Sequence, residues 1–355
     1  MTVGVIYIGA KIFLAFPRTM AELGGPAAWM IVLIASLASS LSWLAIWGLL
    51  SQHPGKTLPE ATEATLGPWL GSLVNLAYAS LFYAVTFLVL RQFSENIVAA
   101  ILPKTPLPVV IIGLLVVIAY GSLLGIEAIA RSAWFVTPFM VVGVVALLAG
   151  GLFTYRGLNA LTPFWGPGLL PVAGWGLIKV SLFAEILVVG LLAGQVRTQR
   201  DLLVSGWLTL AGSALAFLVT VVVYSYVFPY PGSSRVSFPL LEISRVIITG
   251  RWFQRVESIF FIIWVLAGAL KLSISLYGCA RFLAHVMNLS QYQHLVVPLS
   301  VTVYSAALLP PSLPAAVSLD ANLLRNWGWI VSLLLPLITW VVSAIRRGGR
   351  ASYVA

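Results

Sequence analysis

Apolar and polar positions fall in long blocks along this chain rather than alternating at the period of a surface helix or strand. Apolar runs recur about ten times, at 3–17, 27–50, 69–98, 107–124, 132–153, 174–194, 202–228, 252–283, 294–310 and 327–345. About 20 residues of helix cross the ~30 Å hydrocarbon core of a bilayer, and most of these runs reach that length. The pattern therefore predicts membrane-spanning helices. The first run is too short: it begins almost at Met1 and stops at Pro17, so half of that helix is expected to be missing or to lie upstream. The breaks SQHPGKTLPEATEATLG (51–67), LPKTPLP (102–108), TPFWGPGLLP (162–171) and FPYPGSSRVSFP (228–239) are hydrophilic or helix-breaking. FPLLEISRVIITG (238–250) has helical apolar spacing but cannot span, which predicts a helix lying at the membrane surface.

Composition turns this pattern into a class. Of 355 residues, 60% are hydrophobic and 8% charged, against about 25% charged in an ordinary soluble domain. A chain so poor in polar surface is an all-α integral membrane protein. Its net charge of +10 carries no dense basic tract, so it reads as membrane-surface charge and no nucleic-acid partner is expected. The single Cys279 excludes an intrachain disulfide, and no removable signal peptide is read. His53, His285 and His294 lack metal-ligand spacing, and no phosphate loop or nucleophile–base pair occurs. No enzyme, cofactor or metal is therefore expected. Lys and Arg nearly balance on the two sides. The RRGGR stretch (346–350) tips the C-terminal tail, 346–355, to the cytoplasm, and ten spans put the N-terminus there too.

Five spans and five divide the chain into halves, 1–155 and 156–345. Each half opens with a Gly-interrupted apolar segment carrying a lysine: IGAKIFLAFP (8–17) and GLIKVSLFAE (176–185). Interrupted helices at matching places point to a transporter-type binding site, and an odd number of spans per half inverts the second.

Charges inside spans sharpen that expectation, because each costs at least ~2.5 kcal/mol and so faces the bundle interior or a cavity. Lys11, Arg91, Glu95, Lys179, Glu185 and Lys271 qualify. Arg91 and Glu95, four apart, predict a local structural ion pair. Lys179 lies where it can snorkel to the interface. It is six residues from Glu185, about 240° around a regular helix, so the two are not partners unless the helix breaks. Glu185 has no neighbour along its helix and is expected to be protonated or bonded to freed backbone, facing a cavity. Lys271 must find its partner on another helix. Lys11 follows Gly9 and Ala10, small residues that let backbone open. GSLLG (121–125) and GLLAG (190–194) fit helix packing, and NLS (288–290) is discounted as a glycosylation site.

HPGKTLPEATEATLGPWLG resembles the loop after the second span in the B subunits of GerA-type spore germinant receptors. LVLRQFSENI, VSFPLLEISRVIITG and RVESIFFIIWVLAGALKLSISLYGCA resemble further stretches of that family, in its order and spacing, so the likeness covers nearly the whole chain. It implies membership of the amino acid–polyamine–organocation transporter superfamily, with ten spans, a five-plus-five inverted repeat, and broken first and sixth helices around a midplane site. By the same resemblance the family's acidic residue in the sixth span falls on Glu185, its lysine in the eighth on Lys271, and the break of the first on Gly9 and Ala10. The implied ligand-binding set is Gly9, Ala10, Lys11, Tyr83, Ser181, Phe183, Ala184 and Glu185. Lys271 would serve as an internal cation steadying the first helix, so that no sodium is needed. Lys11 and Lys179 depart from the family pattern, and two added positive charges predict a ligand carrying a carboxylate. The implied function is a germinant receptor subunit of the inner spore membrane. It would bind a small nutrient, an amino acid by expectation, beside an A-type membrane subunit and a C-type lipoprotein. The rival is a proton-coupled amino acid permease using Glu185 or Lys271.

Overall fold

The computed structural model describes residues 1–154, 162–247 and 256–351, and every regular element among them is a helix. Among the described residues, seven helices are long and apolar enough to cross a membrane, with Thr2–Phe13 and Gln293–Leu308 as shorter apolar helices. One of the seven folds back on itself, and the shorter helices supply the first and ninth passes, so ten crossings result.

The first crossing shows how the sequence breaks a helix. Helix α1 (Thr2–Gly9) tightens into a 3₁₀ turn at Ala10–Phe13, and Leu14 turns extended (φ −101°, ψ −166°). Helix α2 (Phe16–Gly24) then resumes with Pro17 in its first turn. Pro17 has no N–H to give the Phe13 carbonyl, and its ring would clash there, so the restart is local chemistry. The apolar run stops at Pro17, but the helix continues to Gly24, with Arg18 and Glu22 paired at 2.7 Å. What read as a short first span is one of two half-helices. The α-helix ends at Gly9 and Ala10, as the resemblance implied, and the chain turns extended only at Leu14, ahead of Pro17.

Helix α3 (Ala28–Ser51) leads to the short α4 (Leu58–Leu66). A capping box opens α4, the Glu60 carboxylate accepting the Thr57 N–H at 2.7 Å. Helix α5 (Pro68–Ala100) is the third crossing. Helix α6 (Leu107–Thr154) holds two crossings, separated at Gly125 (φ 85°, ψ 178°), a conformation that glycine alone adopts readily. Gly125 therefore ends a helix, whereas Gly121 packs: a Cβ there would lie 2.8 Å from Ser273 Oγ on the eighth crossing.

The sixth crossing is also interrupted. Helix α7 (Leu169–Ile178) passes into a 3₁₀ segment, Lys179–Ile186, before α8 (Leu187–Leu191). Helix α9 (Gln199–Val227) follows, and then α10 (Pro239–Val246), the non-spanning helix expected from its length. Residues 248–250 of that expected helix, 252–255 of the eighth run, the 155/156 repeat boundary and tail residues 352–355 lie outside the described residues. The eighth and ninth crossings are α11 (Val256–Val286) and α12 (Gln293–Leu308).

The last crossing differs most from its sequence expectation. It starts at Leu313, not near 327. Helix α13 (Leu313–Leu319) runs into a π-helical turn at Asp320–Arg325, then α14 (Asn326–Trp329), a second π-turn at Ile330–Leu334, and α15 (Leu335–Ala351). The segment DANLLR (320–325), outside the run expected at 327–345, lies within the span and carries Asp320 and Arg325 into the bundle.

Helix α11 packs on α5 and α6, and α3 on α9 and α7, with α1 held between α6, α9 and α11. Contacts are close: a Cβ at Gly206 of α9 would sit 2.0 Å from the Trp43 ring of α3. The outer face of α6 exposes Val116, Val117, Trp134, Phe135, Phe139 and Val142. No monomer could present such a patch to water. In lipid it is the expected exterior of a multi-pass integral membrane protein.

Candidate functional site

Charges meet where the first and sixth crossings lose regular helical geometry. Lys11, on the 3₁₀ turn after α1, donates to Glu185 Oε2 and to the Leu182 carbonyl, both on the 3₁₀ segment of the sixth crossing. Lys271, on α11, donates to the Tyr7 carbonyl at 2.6 Å, and its ammonium is 3.3 Å from Glu185 Oε1. It also lies 4.7 Å from the centre of the Tyr7 ring. At the interruptions the two lysines bond backbone carbonyls, Lys271 that of Tyr7 and Lys11 that of Leu182. Lys11, Glu185 and Lys271 are each at most 1% exposed. Such burial is tolerable only because every charge meets an opposite one and further hydrogen bonds. A second link runs from the Tyr7 hydroxyl to Ser275 Oγ (3.0 Å), and from Ser275 to the Phe82 carbonyl (2.9 Å), joining the first, eighth and third crossings.

The tenth crossing locks onto the sixth in the same way. Arg325 binds both oxygens of Asp320, Nη2 to Oδ1 at 3.1 Å and Nε to Oδ2 at 3.3 Å, and its Nη1 reaches the Ser181 carbonyl at 3.3 Å. The Ser181 hydroxyl returns a bond to the Arg325 carbonyl at 2.7 Å. Five residues apart, Asp320 and Arg325 would stand about 140° apart on a regular α-helix. The π-turn, bonded i to i+5, brings them to one face.

Beside these two clusters lies a cavity of about 30 Å³, walled by Lys11, Leu14, Thr19, Gln92, Asp320 and Arg325 among others. A second, of about 40 Å³, shares Leu14, Ala15, Gln92 and Val317 with it and continues past Arg18 and Asn96 to Ser237 and Phe238. A water needs about 10–15 Å³, whereas drug-sized ligand sites run to several hundred. In this conformation neither cavity has room for more than a few waters.

Of the residues expected to bind ligand, Lys11 lines the cavity. Glu185 does not: it stands behind Lys11, its two oxygens facing two lysines rather than freed backbone. Gly9 and Ala10 are buried at the end of α1. Ser181 latches the tenth crossing, Phe183 packs on Phe217 at 5.4 Å, and Ala184 is core. Tyr83 is half-buried against Phe87 and lies away from the cavity. Gln92 is nine residues further along α5, about 180° around the helix, so turning Gln92 inward turns Tyr83 outward. Lys179 does not snorkel. It is buried and donates to Asn326 Oδ1 at 2.8 Å, outside the cavity. It does not meet Glu185, as the spacing required. Arg91 and Glu95 pair at 2.7 Å, and Arg91 also reaches the Ala307 carbonyl at 3.2 Å. Sequence reading missed Asp320, Arg325 and Gln92. A window averaged over 313–347 would have placed the first two inside a span. No local signal separates Gln92 from its polar neighbours.

A helical bundle with two interrupted crossings joined by buried charges is the architecture of secondary transporters. The fold matches that of MhsT in complex with L-phenylalanine, with a TM-score of 0.70 over 97% of this chain and 88% of that one at 16% identity. It also matches Mhp1, a nucleobase-cation-symport-1 family transporter in a closed conformation with bromovinylhydantoin bound, with a TM-score of 0.66 over 97% and 91% at 13% identity. These likenesses show a leucine-transporter-like fold. The chain itself belongs to the family described as spore germination protein, whose profile matches residues 2–312. Spore germination protein YndE of Bacillus subtilis (strain 168) is 24% identical over 349 residues, 97% of this chain and 94% of that protein. Spore germination protein KB of the same organism is 22% identical over 345 residues, 94% of this chain and 90% of that protein.

Proposed function

We propose that this chain is the nutrient-sensing membrane subunit of a spore germinant receptor in the inner spore membrane. Its ligand is a small nutrient bearing a carboxylate, held between the broken crossings. The observation that carries this reading is the charge balance there: Lys11 and Lys271 share Glu185, Arg325 holds Asp320, and the buried Lys179 has only the neutral Asn326, so four cations meet two carboxylates. Lys11 and Arg325 stand on the cavity wall. An anion reaching Lys11 competes with Glu185 for its ammonium, and so loosens the tie between the first and sixth crossings. The ligand thereby favours one arrangement of the two halves, 1–155 and 156–345, over the other. An A-type membrane subunit and a C-type lipoprotein would read that change. Spores lacking this gene, screened over amino acids, organic acids and sugars, should lose germination to one ligand class. Unchanged germination on every nutrient would overturn the receptor role.

The Glu185–Lys271 pair favours a second reading, a proton-coupled amino acid permease, because it puts a protonatable pair at the helix break. Uptake of labelled substrate into proteoliposomes under a pH gradient separates the two: a receptor binds without net transport.

A further inference from the structure

The two cavity clusters differ from an amino acid site in one respect: the protein has already supplied the cations. In broken-helix transporters, freed carbonyls receive positive charge while half-helix N-termini point at anionic groups. Here two carbonyls of the sixth crossing's 3₁₀ segment already accept from cations, Leu182 from Lys11 and Ser181 from Arg325. Both oxygens of Glu185 face lysines, and both of Asp320 face Arg325. An arriving ammonium would find these acceptors engaged and two fixed cations beside it.

Donors, by contrast, are in surplus. An ammonium offers three and a guanidinium five. Lys11 spends two, on Glu185 and Leu182, and Arg325 spends three, on Asp320 and Ser181. The Gln92 amide nitrogen, 3% exposed at the residue level and on the wall of the same cavity, has no hydrogen-bond partner among the described residues. A buried donor left unpaired costs about 1–3 kcal/mol, so its retention calls for an acceptor from outside. The remaining neutral acceptors include Thr19 Oγ1, whose proton goes to the Ala15 carbonyl at 3.1 Å, and Gln92 Oε1. They suit a ligand hydroxyl better than an ammonium set beside two cations.

We infer that the site takes a short carboxylate without an amino group, such as a small hydroxy acid, bound by Lys11, Arg325 and the Gln92 amide. This rests on the cavity being the ligand site and narrows the expected amino acid class to its anionic half. L-lactate and L-alanine make the test, because they differ mainly in hydroxyl against ammonium. Like charges brought together cost several kcal/mol, so full-length protein in nanodiscs, in chloride-free buffer, should bind L-lactate at least about tenfold more tightly than L-alanine. Gln92→Leu should weaken lactate by about tenfold and leave the melting temperature of the ligand-free protein unchanged or raised. A packing role would lower it. Lys11→Met should abolish lactate binding.

Three results would overturn the inference: alanine binding as tightly as lactate, chloride alone giving the whole stabilisation, or Gln92→Leu leaving lactate affinity intact. The receptor role fails separately. If lactate binds as stated but gene-deleted spores germinate normally on every nutrient, the site assignment stands without the function. If deleted spores lose only an amino acid response and lactate does not bind, the function stands without the assignment.

Discussion

Two sets of buried charge, one on α5 and one at the helix breaks, are built on opposite plans. Arg91 and Glu95 are one helical turn apart, pair at 2.7 Å, and need only α5 to exist. Lys11, Glu185 and Lys271 come from three crossings, with Arg325 and Asp320 added from a fourth beside them. The first pair is neutral as soon as its helix forms, wherever that helix goes. Glu185 meets its two lysines only in one arrangement of the bundle, so motion of the first, sixth or eighth crossing against the others breaks a buried ion pair. A local pair makes insertion possible, and a shared one makes conformation matter.

The largest expected effect of breaking this contrast comes from Glu185→Gln. It removes the counter-charge of two buried ammoniums at constant shape, and breaking a buried pair costs about 3–5 kcal/mol. The protein should still reach the membrane, melt well below wild type in nanodiscs, and lose most of its germination response. A Glu185→Gln protein with wild-type melting and normal nutrient dose dependence would show the shared cluster to be no different from a local pair.

Lys271→Met should come next. It frees the Tyr7 carbonyl and one oxygen of Glu185 while Lys11 still holds the other, so we expect about 1–3 kcal/mol of destabilisation. Amide exchange over Thr2–Gly9 should accelerate. If Lys271 is the internal cation that the resemblance implies, replacing sodium by potassium should leave wild-type ligand binding unchanged, its ammonium already being bonded to the Tyr7 carbonyl. A sodium requirement would defeat that assignment.

Lys11 and Lys179 sharpen the contrast within the cluster region. Lys11→Ala removes a donor from the cavity wall and should weaken carboxylate binding by about tenfold or more. Lys179→Ala, whose partner Asn326 is neutral and off the cavity, should change affinity by less than about twofold. Equal effects measured by titration calorimetry would remove the case for Lys11 as the ligand's contact. The smallest effect belongs to the local pair: the double change Arg91→Met with Glu95→Gln should cost no more than about 1 kcal/mol and leave the nutrient response intact. A large loss of response would mean that this pair, too, reports on the bundle.

How legible each feature is follows from how local its cause is. Spans, the short non-spanning helix and interrupted helices can be read from sequence because lipid solvation and backbone hydrogen-bond arithmetic act within one segment. Pro17 forces its restart with the residues on either side, and Arg91 finds Glu95 by spacing alone. The charges at 11, 185 and 271 were likewise visible as groups in need of partners, since an ion in an apolar run is costly whatever surrounds it. Which partners they take was not visible. Lys11 and Glu185 are 174 residues apart, and only the packing of the first crossing against the sixth sets them face to face. Tyr83 and Gln92 sit on the same helix at opposite angles, and the rotation of α5 in the bundle decided which one meets the cavity. Asp320 and Arg325 were hidden more deeply, because their pairing needs a π-turn that no helical periodicity announces. That turn is held by bonds between Arg325 and Ser181 on another crossing. Sequence determined that this chain must enter a membrane, break two helices and bury charge. Tertiary structure alone decided which of the buried charges pair with one another, and that Lys11, Asp320 and Arg325 wall one small cavity.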